Sequence, residues 1–127
     1  MANMPHFPIA TIAEQSADFR RVLWTGGYVQ LVIMTIPPGG EIGLETHPDT
    51  DQILTFVSGM GEADVADQTM KVTQGDLVAV PAGTPHNFRN TGVNPLVLYT
   101  VYGPPEHADG VVHVTKEEAD ADEGHTH

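Results

Sequence analysis

Four side chains in this 127-residue chain have the types and spacing needed to hold a divalent metal ion. Glu45, His47 and Gln52 fall between Gly39 and Gly59, and His86 falls in the run G-D-L-V-A-V-P-A-G-T-P-H-N-F-R-N from Gly75 to Asn90. Two imidazole nitrogens, one carboxylate and one amide oxygen make a donor set if the fold brings them together. The chain has no cysteine, so thiolate ligands, disulfides and a thiol nucleophile are excluded and any ion must be held by nitrogen and oxygen. One carboxylate on a divalent ion leaves about one net positive charge, which favours an anionic ligand such as an enolate, a carboxylate or superoxide. Two histidines and one carboxylate with open positions are also the ligand set of non-haem Fe(II) oxygenases.

Strands must position these groups. Thirteen glycines and ten prolines punctuate short apolar runs, the texture of an all-β sandwich or barrel. Strands are expected over Arg21–Thr25, Tyr28–Ile36, Glu41–His47, Gln52–Ser58, Gly61–Ala66, Thr69–Thr73, Leu77–Val80, His86–Asn90 and Leu96–Tyr102. Between them lie turn signals, among them Gly26-Gly27, Pro37-Pro38-Gly39-Gly40, Gly59, Gln74-Gly75-Asp76 and Pro81-Ala82-Gly83. Ile9 to Phe19 is ambiguous between a strand and one loose helical turn. Side chains alternate along a strand, so Glu45 and His47 share a face, and an antiparallel return puts Gln52, Leu54 and Phe56 in one row. His86 shares parity with Phe88 and Asn90. The expected site therefore heads an apolar substrate lane of Leu54, Phe56 and Phe88.

The two segments resemble the two motifs of the cupin superfamily. The first reads Gly39, five residues, Glu45, one, His47, four, Gln52, six, Gly59, where the family usually has His-x-His followed by Glu. The second reads Gly75, five residues, Pro81, one, Gly83, two, His86, three, Asn90, and matches at every position. The resemblance covers residues 20–103 and implies a double-stranded β-helix, the jelly-roll or RmlC-like barrel, commonly dimeric, with a metal in its mouth. Residues 1–19 then read as an N-terminal arm, and residues 104–127 as a C-terminal arm with an acidic tail. Two positions depart from the family. Glu45 stands at the usual first histidine and Gln52 at the usual glutamate, a near swap that keeps oxygen donors but makes the fourth one neutral. Three ligands with Gln52 as a supporting donor is the alternative arrangement. The metal implied is one divalent transition ion, with iron, manganese, nickel and zinc not distinguished.

Other residues read more plainly. His107 and His113 read first as surface residues of the arm and second as proton-transfer groups at the barrel mouth. His125 and His127 sit at the extreme terminus, where they can scavenge metal in an assay, and His6 carries no signal. Tyr99 and Tyr102 have opposite parity, so at most one faces the interior. Trp24 reads as core or dimer interface, and Asp49 and Asp51 as turn stabilisers. No G-x-x-x-x-G-K-[ST] phosphate loop is present, and Gly26-Gly27 is a hairpin signal.

The formal charge is -12, from 17 acids against five bases, which disfavours nucleic acid and anionic membrane surfaces as partners. Glu117 to Glu123 reads as a solvated acidic run. No apolar stretch reaches the roughly 18 residues that span a bilayer, and no signal peptide is evident, so a cytoplasmic protein is expected. The length suits one domain, and the expected partners are a small-molecule substrate and a second copy of the chain.

Three functional classes follow, in order of preference. The first is a metal-dependent oxidoreductase of dioxygenase type acting on a small apolar or enolisable compound. The second is a non-redox metal enzyme, an isomerase or lyase using the ion as a Lewis acid; chains similar to this one are often labelled mannose-6-phosphate isomerase-like. The third is a non-catalytic small-molecule-binding cupin. A sugar phosphate needs Arg or Lys beside the pocket. Arg89 has the wrong parity, Lys71 and Lys116 lie elsewhere, and Arg20 and Arg21 remain open because first strands of cupins can line the cavity.

Overall fold

Antiparallel pairing accounts for the whole architecture. In the computed structural model, which describes residues 4–123, the order is α1 (Ile9–Gln15), β1 (Arg20–Thr25), β2 (Gln30–Ile36), β3 (Asp51–Ser58), β4 (Met60–Val65), β5 (Gln68–Thr73), β6 (Leu77–Val80), β7 (His86–Arg89), β8 (Leu96–Gly103), β9 (Val112–His113) and α2 (Lys116–Glu123). A six-stranded sheet runs β6-β3-β8-β2-β1-β9 and faces a three-stranded sheet β5-β4-β7. Val32, Met34, Leu54, Phe56, Phe88, Leu96 and Leu98 lie buried between them as the core of the barrel.

The expected strand over residues 41–47 is not regular. Only Glu41, opposite Arg89, and Glu45, opposite His86, make ladder bridges. Gly43 has φ +109°, a conformation that breaks the strand, and its N–H turns to the side-chain oxygen of Asn87 at 2.9 Å. The segment still runs along β7, with Ile42 N–H donating to Phe88 O at 2.9 Å. It therefore works as a bulged edge of the smaller sheet, which carries Glu45 and His47 to the barrel mouth.

The termini are also more ordered than the sequence alone indicates. The ambiguous opening forms α1, because Ile9, Ile12 and Ala13 fall on one helical face and pack with Ile33, Val57 and Val97 on the outside of the large sheet. The arm after β8 is not wholly loop, since Val112–His113 pairs with β1 and adds a strand to the large sheet. The acidic run forms α2, anchored by buried Ala119 and by an Asp122–His113 contact at 2.9 Å. Trp24 is not core; it is 37% exposed on the outside, with its ring over Gly26. Among the described residues no helix is long and apolar enough to cross a membrane.

Two motif residues have clear structural duties. Gly59 turns β3 into β4 at φ +87°, and a Cβ there would overlap the carbonyl oxygen of Pro95. Asn90 is buried and ties three chain segments together. Its Nδ2 donates to Ile36 O at 2.9 Å and Asn94 O at 2.8 Å, and its Oδ1 accepts from Gly92 N–H at 2.9 Å. Asn90→Ala leaves these buried backbone groups without partners, so urea unfolding should show a loss of about 2–4 kcal/mol with an unchanged denaturant slope. A loss below about 0.5 kcal/mol would show that these bonds do not support the fold.

Candidate metal centre

The candidate ligand segments meet because Glu45 of the first motif and His86 of the second share one rung. Glu45 and His86 exchange both backbone hydrogen bonds at 2.9 Å, and His86 in turn pairs with Val65. Across the barrel, Gln52 of β3 pairs with Tyr102 of β8, and Tyr102 pairs with Gln30 of β2. The mouth thus lies between a Glu45–His86 rung and a Gln52–Tyr102–Gln30 row.

One ligand atom each from Glu45, His47 and His86 lies within 4.8 Å of the others. Glu45 Oε2 is 4.0 Å from His47 Nε2, and the two imidazole centroids are 5.2 Å apart. The hydrogen bonds behind these groups decide which atom each presents. His86 Nδ1 meets Thr84 O at 2.9 Å, and a carbonyl only accepts, so the proton sits on Nδ1 and the Nε2 lone pair is free. His47 Nδ1 meets Glu106 Oε1 at 3.1 Å, which likewise leaves Nε2 for a ligand. Thr100 Oγ1 donates to Ile53 O at 2.8 Å and so accepts from Gln52 Nε2 at 3.1 Å. That bond fixes the amide and leaves Gln52 Oε1 as the uncommitted atom.

These three atoms, His47 Nε2, His86 Nε2 and Gln52 Oε1, are buried without a hydrogen-bond partner. Each would cost about 1–3 kcal/mol if left so. A divalent cation between the Glu45 carboxylate and the two imidazole nitrogens would satisfy both rings, and this donor set suits iron, manganese, nickel or zinc, with Gln52 Oε1 the further donor the mouth offers. The residues present therefore fit a metal. Burial lowers the pKa of His86, which keeps its Nε2 unprotonated and ready to bind.

The expected substrate lane is filled. Leu54, Phe56 and Phe88 are no more than 1% exposed and belong to the packed core. Phe88 touches Phe56 at 5.9 Å and His86 at 6.0 Å between centroids, so the row forms a floor beneath the ligands and offers no surface to a substrate. The parity is as expected, but close packing closes the lane.

The mouth contains more polar groups than the motifs indicate. Tyr102 is the inward tyrosine, buried and edge-on to His47 at 5.8 Å and to His107 at 5.1 Å. His107 and His113 are not surface residues: His113 is buried and bonds Asp122, and His107 Nε2 is buried without a partner. Arg20 also faces inward at 2% exposure, 3.5 Å from His113 Nδ1. Arg21 pairs outside with Asp18, and Arg89 pairs outside with Asp64 and Glu62. Asp51 accepts from Ala82 N–H at 2.8 Å, which ties it to the Pro81-Ala82-Gly83 turn and not to the expected turn before β3, and Asp49 is exposed. His6 is exposed, and His125 and His127 lie outside the described residues.

Glu106 had no sequence signal. It lies 59 residues beyond His47, outside both motifs, and only the path of the arm brings it back. Thr84, by contrast, stands inside the second motif two residues before His86.

Comparison with known proteins agrees with this geometry. Residues 32–102 match the cupin domain family. An uncharacterised Bacillus subtilis protein, YrkC, is 42% identical over 87% of this chain, and the chain spans 62% of YrkC. The crystal structure of a Bacillus halodurans protein, 40% identical, superposes with a TM-score of 0.90 over 91% of this chain and 92% of that one. The quercetin 2,3-dioxygenase of Bacillus subtilis is 29% identical over 69% of this chain, which spans 26% of that enzyme.

Burial of the His107 ring, with the Arg20 guanidinium adding repulsion, pushes its pKa down to about 3. In the unfolded chain a histidine titrates near 6.5. Between these values the unfolded state binds a proton that the folded state refuses, so stability falls as pH drops from about 6.5 towards 3, by at most about 1.4 kcal/mol per unit. Urea unfolding at pH 7 and pH 5 should show a smaller difference for His107→Asn than for the parent. His86 contributes with the same sign and persists in the variant. An identical pH dependence in both proteins would exclude His107 as the group responsible.

Proposed function

This chain belongs to the cupin family, and we propose that it is a metal-dependent oxidoreductase of dioxygenase type, acting on a small enolisable or phenolic compound. The observation that carries this reading is the set of buried donor atoms left without partners beside one carboxylate. A bound divalent ion would supply an electrophilic centre and, if iron or manganese, a redox couple. The distant likeness to quercetin 2,3-dioxygenase supports the same chemistry.

The chain's own residues do the rest. With a single carboxylate in the ligand set, the centre retains about one positive charge and favours an oxyanion from the substrate. Arg20, on the inner face, raises the potential of the mouth further. The Leu54, Phe56 and Phe88 floor excludes water from below. Tyr102 holds the rings of His47 and His107 in edge contact, which leaves each little freedom to turn. Thr84 and Thr100 hold His86 and Gln52 in the orientation that presents a lone pair.

The inward Arg20 also favours a second reading. Of the two first-strand cations that the sequence leaves open for an anionic substrate, Arg20 is buried on the inner face and Arg21 pairs outside with Asp18. A non-redox isomerase or lyase acting on an anionic substrate is therefore the alternative.

Elemental analysis of untagged protein beside a His47→Ala/His86→Ala double variant tests the centre. Stoichiometric iron or manganese in the parent and little in the variant is the expected result. Equal metal in both would refute the site and expose scavenging by terminal histidines. Oxygen uptake across enolisable and phenolic compounds then separates the chemistries. No uptake, with turnover of an aldose–ketose pair, would replace the oxidoreductase with the isomerase.

A further inference from the structure

The strap that follows β8 is pinned at one place. Gln30 is fully buried, and its amide uses every hydrogen-bonding position that an amide side chain has. Oε1 accepts from the N–H groups of Glu106 at 3.1 Å and His107 at 2.9 Å. Nε2 donates to His107 O at 2.8 Å and Thr25 Oγ1 at 2.9 Å. Since Gln30 pairs with Tyr102 in the large sheet, this clamp fixes residues 106 and 107 relative to the ligand row.

From that anchored backbone the Glu106 side chain crosses to the loop before β3. Its Oε1 meets His47 Nδ1 at 3.1 Å, and its Oε2 accepts from Thr50 Oγ1 at 3.0 Å. The two contacts straddle the Pro48-Asp49 turn, so one carboxylate fixes both the ring and the loop carrying it. The side chain is 27% exposed and is no part of the core.

Resting on the metal reading above, we propose that Glu106 is the positioning residue of the centre: held by the Gln30 clamp, it commits His47 to the tautomer whose Nε2 can bind metal. A neutral imidazole can carry its proton on either nitrogen, and with Nε2 protonated the ligand is lost. An acceptor at Nδ1 removes that option and fixes the ring plane. Both motifs are therefore insufficient by themselves; the arm completes one of their ligands. Because the same carboxylate holds the strap and the ligand, strap order and metal affinity are linked, and each must strengthen the other.

The test compares the parent with Glu106→Ala and Glu106→Gln, all metal-free, and a melting curve for each checks the fold. Long-range 1H–15N correlation spectra report the tautomer of His47 directly. The parent should show the proton on Nδ1; Glu106→Ala should lose that single tautomer, and Glu106→Gln should keep it, because the amide oxygen still accepts. Zinc or manganese affinity, measured by chelator competition, should fall about 10- to 100-fold in Glu106→Ala and recover most of that loss in Glu106→Gln. A parent His47 protonated on Nε2, or a Glu106→Ala affinity within about twofold of the parent, would overturn the assignment. If the parent binds metal no better than the His47→Ala/His86→Ala variant, the metal reading fails instead, and the tautomer spectra still decide what Glu106 does.

Discussion

Glu45 and His86 exchange both of their backbone hydrogen bonds across the edge of the smaller sheet, and the geometry of the mouth descends from that rung. It joins two segments 41 residues apart in sequence at one level of the barrel. From Glu45 the chain goes on through His47, whose carbonyl accepts from Gly83 N–H at 2.8 Å, a second tie between the motifs. From His86 it goes on through Phe88 into the core. The rung works because the segment before β3 runs beside β7 without being a regular strand. The bulge at Gly43, held by the Asn87 side chain, lets Glu45 regain register after it is lost. A straight strand there would change which side chains face the interior, since a one-residue slip moves every side chain to the opposite face.

Given that rung, the polarity of the centre follows from what lies behind each ligand. A carbonyl behind His86, a carboxylate behind His47 and a hydroxyl behind Gln52 each accept a hydrogen bond. All three side chains are thereby made donors on their outer sides and lone-pair bearers on their inner sides. The hydroxyl is itself committed to Ile53 O, so the amide cannot flip without loss. Inward lone pairs shielded from water need a partner of another kind. The mouth gathers such atoms while the floor beneath is closely packed. That contrast marks a candidate binding centre better than residue identity alone.

The glycines, the proline and the spacing of the two motifs made the barrel legible in the sequence, together with the Glu45, His47 and His86 group that could hold a metal ion. Strand parity turned Arg89 outward and allowed at most one of Tyr99 and Tyr102 inside, without saying which, because parity is a local property of the chain. Parity did not reveal that Leu54, Phe56 and Phe88 would meet with no space between them, since packing density depends on all strands at once. The buried state of His113 and the shielded Nε2 of His107 were hidden for a related reason. Each depends on where the terminal arm returns, and nothing periodic marks Val112 and His113 as a strand: two residues are too few to display alternation. α1 was ambiguous because its seven residues give barely two turns, and its helical state is supported by Ala13 and its neighbours packing on the outer sheet.

The arm and the barrel divide the labour of the centre. The barrel supplies ligand atoms from segments that any chain with these motifs would bring together. The arm supplies what surrounds them: the Glu106 carboxylate against His47, the His107 ring against Tyr102, and His113 beside Arg20 with Asp122 of α2 on its other nitrogen. These contacts add one carboxylate behind a ligand and place a buried guanidinium on the inner face, so the charge around an ion and its substrate is set largely outside the motifs. Electrostatic interactions are strong where water is excluded, and the residues lining this mouth are mostly buried. Chains that share both motifs but differ after the last barrel strand would therefore surround the same donor atoms with different charges.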